Sequence, residues 1–104
     1  MFKLDFYVPE SHLESVKQAV FEAGAGRIGN YDQCCWQNAG QGQFRPLDDS
    51  NPFLGVPGQL EKVLEYKVEM ICEASVIDSV IKALRAAHPY EEPAFQVIRI
   101  ESFS

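Results

Sequence analysis

One pattern occurs twice in this chain at an offset of 64 residues, and it narrows the folds open to it. In the first copy, Phe2, Leu4, Phe6 and Val8 alternate with Lys3, Asp5 and Tyr7, the period of a half-buried strand. Pro9 stops the strand. Ser11 is then placed to cap a helix, with Glu14 at the capping-box position. Leu13, Val16, Val20 and Ala23 give that helix an apolar stripe, and Gly24 and Gly26 end it. In the second copy, Leu64, Tyr66, Val68, Met70 and Cys72 form the strand, and Ser75 with Asp78 opens the helix. Its stripe is Val76 or Ile77, Val80, Ile81, Leu84 and Ala87. Leu4 falls on Val68, Phe6 on Met70, Val8 on Cys72 and Ser11 on Ser75.

Each strand–helix unit needs a closing strand. Asn30–Gln37 is the candidate for the first and Phe95–Glu101 for the second, with a slip at Val97-Ile98 that would mark a bulge. The expected fold is α+β: a single ferredoxin-like domain over residues 1–104, a double β-α-β. Its four-stranded antiparallel sheet carries two helices on one face. The other face, with Tyr7 and Ile71, is left bare, and self-association is the economical way to cover it. Residues 39–58 read as a long Gly- and Pro-rich loop, with a short strand at Gly42–Pro46. Phe44, Leu47, Phe53 and Leu54 argue that this loop docks on a surface.

Composition removes several function classes. The 104 residues carry a net charge of −6, and the nine basic residues are scattered. A nucleic-acid binder needs clustered cations to neutralise phosphates, and so does a protein docked on anionic lipid. No stretch approaches the ~20 apolar residues of a membrane span. The first residues alternate and carry an early acid, unlike a signal peptide. Cys34 and Cys35 are adjacent, which strains a disulfide, and strand alternation would aim them at opposite faces, away from a shared metal. The three cysteines read as thiols in a reducing cytoplasm.

Two motifs invite chemistry. Gly24-Ala25-Gly26-Arg27-Ile28-Gly29 spells a dinucleotide fingerprint, but it follows a helix rather than opening one. A phosphate there would meet the wrong end of the helix dipole, so the glycines read as a turn. His88-Pro89-Tyr90-Glu91-Glu92-Pro93 is the second. As a joint, it places a basic residue at a helix C-terminus and stops the helix with proline. As a site, His88 and Glu91 could hold a divalent cation through nitrogen and oxygen. No nucleophile stands in sequence beside a base, so no catalytic residue is assigned and no cofactor is fixed.

GAGRIGNYDQC, GQFRPLDDSNPFLGVPG and AHPYEEPAFQV together resemble the NGG-one-interacting factor three-like proteins. Many of those are roughly three times longer, with a two-lobed core, a dinuclear metal site and, in some, an inserted module similar to PII and CutA proteins. This sequence is similar to that module alone, over essentially all 104 residues. The resemblance implies the ferredoxin-like fold and a homotrimer, with a dimer as the alternative. It places the dinuclear site and any hydrolase activity in the lobes rather than in this segment. It also implies that residues 38–58 lie near intersubunit clefts, where PII proteins hold small effectors with basic residues. This chain offers Arg27, Arg45 and a few lysines for such contacts.

The resulting expectation is a non-enzymatic regulatory or small-ligand-binding oligomer. Its candidate site is Asn30, Tyr31, Phe44, Arg45, His88, Tyr90, Glu91 and Glu92. Arg45 would meet an anion, and the acids a cation or a backbone amine. A divalent-metal binder and a hydrolase-related accessory subunit are the competing readings.

Overall fold

A computed structural model describes residues 1–101 and Phe103. Four strands and two helices alternate as the repeat requires: β1 (Phe2–Pro9), α1 (Leu13–Glu22), β2 (Trp36–Phe44), β3 (Glu61–Cys72), α2 (Ile77–Ala87) and β4 (Phe95–Arg99). The strands form one antiparallel sheet in the order β2-β3-β1-β4. The two repeated strands are therefore central and paired with each other. Leu4 faces Met70, Phe6 faces Val68 and Val8 faces Tyr66.

Alternation sends Leu4, Phe6, Val8, Val68, Met70 and Cys72 to the helix side of the sheet, where all are buried. Leu13, Val16 and Val20 of α1 and Val80 and Leu84 of α2 close the core over them. Burying an aromatic or branched side chain of this kind stabilises the fold by about 1.5–3 kcal/mol.

The helices begin at Leu13 and Ile77, again 64 residues apart, but the expected serine caps do not form. A short 3-10 turn at Glu10–His12 comes first, and the Ser11 hydroxyl pairs with His12 Nδ1 instead. The exits follow the sequence reading. Gly24 takes φ +115°; its amide donates to the Phe21 carbonyl and the Ala25 amide to that of Val20, a Schellman ending. Gly26, at φ +78°, ties this turn to the sheet through Ile71, and an added Cβ would press on the Cys34 carbonyl and the Phe21 ring. At the end of α2, Pro89 forbids helical backbone to His88, which turns extended at φ −72°, ψ 135°.

The second strand is where the sequence reading fails. Asn30–Cys35 is not strand: Ile28 and Tyr31 pair across a tight turn at Gly29-Asn30, and Gln33 takes φ +56°. Cys34 and Cys35 consequently lie in irregular chain, not on opposite faces of a strand. β2 instead runs through Ala39–Gln43, a glycine-rich run of weak strand propensity. β3 supplies its partners, from Trp36–Glu69 to Phe44–Glu61. β3 also starts earlier than its alternation suggested, at Glu61, so β2 and β3 form an arm reaching beyond the end of β1. The connecting loop shrinks from 38–58 to residues 45–60. β4 pairs with β1 in unbroken register from Phe95–Phe6 to Arg99–Phe2, so the expected bulge is absent.

Phe6 sits at the centre of this packing. Phe6→Ala is expected to lower stability by about 3–5 kcal/mol, read from the shift in urea midpoint at unchanged slope.

Candidate functional site

The polar joint after α2 and the loop after β2 meet at one place. Phe44, Arg45, Tyr90, Glu91 and Glu92, five of the eight residues singled out in sequence, line a single open cleft of about 370 Å³. The loop side adds Pro46, Leu47, Ser50, Pro52, Phe53 and Leu54, and the sheet adds Tyr7 and Glu65. The loop is held against the joint by the Asn51 amide, which donates to Glu91 Oε1 at 2.9 Å. It is also held by Phe53, whose ring meets His12 edge-on at 5.4 Å and Tyr90 at 6.2 Å. Phe44 approaches Tyr90 from the arm at 5.9 Å. Tyr90 is thus the ring on which the arm and the loop both converge.

His88 does not line the cleft; it lies beneath it, 6% exposed. Its Nε2–H donates to the Tyr7 carbonyl at 2.7 Å, and its Nδ1 accepts the Tyr90 amide at 3.1 Å. Those two bonds select one neutral tautomer and use both ring nitrogens. Burial pushes the His88 pKa down; the Tyr7 carbonyl opposes this and nearby His12 adds to it. With both ring nitrogens engaged, His88 has none free to share a metal with Glu91, the alternative reading of this joint. Among the described residues, no three His, Cys, Asp or Glu side chains gather as a metal set. Asn30 and Tyr31 do not line this cleft; they sit exposed in the turn before β2.

Tyr7, Glu65 and Phe53 were not named from sequence as site residues. The alternation of β1 and β3 puts Tyr7 and Glu65 on the open sheet face, but only the register brings them to the cleft. Glu65 leans across β2 at Gly42, where an added Cβ would overlap its carboxylate. The Tyr90 hydroxyl is out of solvent and closes no hydrogen bond of good geometry. Burial first, then the neighbouring Glu65 carboxylate, push the Tyr90 pKa up.

On the same open face, Lys3 stands between Ile71 and Ile98 on its two neighbouring strands. Its Nζ reaches Glu69 at 2.6 Å and Asp5 at 3.4 Å, although Asp5 is only 4% exposed. The bond to Glu69 raises the Lys3 pKa, and the same bond holds the Glu69 carboxyl low. Trp36 adds an indole that is 68% exposed.

The neutral state of His88 has a pH consequence. Its folded pKa lies below the ordinary 6.5, so as pH falls the unfolded chain takes the proton first. This contribution is complete above the unfolded value and is lost as pH drops through it towards the folded one. Urea midpoints are expected to fall between pH 7.5 and pH 5, and His88→Gln, which cannot titrate, is expected to flatten that fall.

No family model matches the chain. Individual relatives do. A GTP cyclohydrolase 1 type 2 homolog from Mycobacterium leprae is 48% identical over 94 residues, covering 90% of this chain and 24% of the relative. The Bacillus subtilis protein of the same name is 43% identical over 99 residues, covering 95% and 26%. Among solved structures, a Bacillus cereus protein related to NIF3 superposes with a TM-score of 0.83 at 42% identity, over 97% of this chain and 26% of that one. The periplasmic divalent cation tolerance protein CutA from Archaeoglobus fulgidus gives a TM-score of 0.70 at 17% identity, over 100% of this chain and 88% of its own. That likeness shows the fold alone. No helix among the described residues is long and apolar enough to cross a membrane. The chain is thus related by sequence to about a quarter of the GTP cyclohydrolase 1 type 2 homologs, proteins of the NIF3 family, and its fold is that of CutA and the PII-like proteins.

Proposed function

We propose that this chain is a non-enzymatic, self-associating module that binds a small molecule in the cleft between residues 45–54 and the joint at 90–92. The observation that carries this reading is the convergence of five sequence-chosen residues on one cleft with a ring-lined, largely apolar wall. The groups nearest to a nucleophile–base pair are already occupied. The Ser50 hydroxyl donates to the Leu47 carbonyl, and His88 is bonded on both nitrogens. Its role beside a catalytic core of the kind the longer relatives are named for would be regulatory.

Self-association rests on the open sheet face, where Trp36, Ile71 and Ile98 surround the Lys3–Glu69 pair. A trimer is the assembly implied by the family resemblance, with a dimer as the alternative. The unpaired thiols of Cys34, Cys35 and Cys72 suit a reducing cytoplasm.

Two measurements test the reading. Light scattering at micromolar concentration is expected to give a trimer, and the pair Ile71→Asp with Ile98→Asp to give a folded monomer. A wild-type monomer would overturn the assembly. A thermal-shift panel of metabolites of every charge class is expected to contain a compound that raises Tm in wild type and not in Phe53→Ala. A panel without one would sink the binding role.

A further inference from the structure

The cleft has a charge character that bears on what enters it. Its aromatic rings come from separate parts of the chain: Tyr7 from β1, Phe44 from the end of β2, Phe53 from the loop and Tyr90 from the joint. Carboxylates outnumber cations among the lining residues, with Glu65, Glu91 and Glu92 against Arg45. Ring faces present negative potential, which draws ammonium and guanidinium groups and repels anions. A phosphate-bearing ligand would have one guanidinium to meet and three carboxylates to displace.

Two details locate the charged end of a ligand. The Tyr90 hydroxyl is out of solvent beside the Glu65 carboxylate, closes no bond of good geometry, and keeps oxygen lone pairs to accept an N–H. Glu65 lies near it, its carboxylate over Gly42, where an added Cβ would overlap it. Glu91 is less available, because one of its oxygens already accepts the Asn51 amide. The volume, about 370 Å³, is at the small end of ligand sites and suits a single-ring or choline-sized body.

We propose that the cleft selects a small amphipathic cation, its apolar body among Phe44, Phe53 and Tyr90 and its ammonium group at Glu65 and the Tyr90 hydroxyl. This rests on the small-ligand reading above and narrows it to one class. Nucleotides and other polyanions are excluded by the same carboxylates.

Calorimetry on the full chain with four probes tests the class: phenethylammonium, its uncharged counterpart 2-phenylethanol, the anion 3-phenylpropionate, and ATP. Phenethylammonium is expected to bind about tenfold tighter than 2-phenylethanol, and Glu65→Gln to remove that preference. Raising salt is expected to weaken the cation and leave the alcohol unchanged. Glu92→Gln serves as a second variant should Glu65→Gln fold poorly, and is expected to reduce the preference in the same direction. Phe53→Ala is expected to weaken cation and alcohol alike, which places both in the cleft. Equal affinity for cation and alcohol, or tighter binding of phenylpropionate or ATP, overturns the cation class while the small-ligand reading stands. Silence from all four probes overturns the cation class too, and the broader thermal-shift panel then judges the small-ligand reading separately.

Discussion

The pairing of β1 with β3 is the contact on which the other elements depend. It sets two copies of one amphipathic strand side by side, so that Leu4, Phe6 and Val8 share a surface with Val68, Met70 and Cys72. Each strand then delivers a helix to that surface, and the two helices cover it together. β2 and β4 add to the outer edges of the central pair. The hydrophobic term comes chiefly from the central pair and the helices, because burial is complete there and partial at the edges.

That hierarchy explains which parts of the fold could be read from residues. The repeated units announce themselves, because burial on one face imposes period two on a strand and a stripe on a helix. β2 does not, because little of it is buried. Its run of Ala, Gly and Gln adopts strand geometry because β3 offers it a ladder, an effect of partners distant in sequence. Cys34-Cys35-Trp36 had the more strand-like residue types, yet the turn at Gly29-Asn30 and the left-handed Gln33 bend the chain there. The missing serine caps are a smaller case: Ser11 found a nearer partner in the His12 ring.

The candidate site was legible to a different degree. Its joint and its loop each stood out by composition, and five of the named residues do meet. Their sheet-side neighbours were invisible because register, not local pattern, decides that Tyr7 and Glu65 reach the same place. His88 shows the opposite error. A histidine beside two carboxylates looks like a ligand set, but with its ring buried and bonded to Tyr7 and Tyr90, it is an internal strut. Asn30 and Tyr31 lie at the turn closed by Ile28 and Tyr31 and do not line that cleft.

The loop over residues 45–60 begins and ends on a paired couple, Phe44 and Glu61. Its closure entropy is therefore already carried by the hairpin ladder, and the Asn51–Glu91 bond and the Phe53 rings restrict its middle further. What freedom remains is local, in the stretch between those ties. A molecule lodged beside Phe53 would have only that remnant to order, so more of its contact energy would appear as affinity than with a loop free along its whole length.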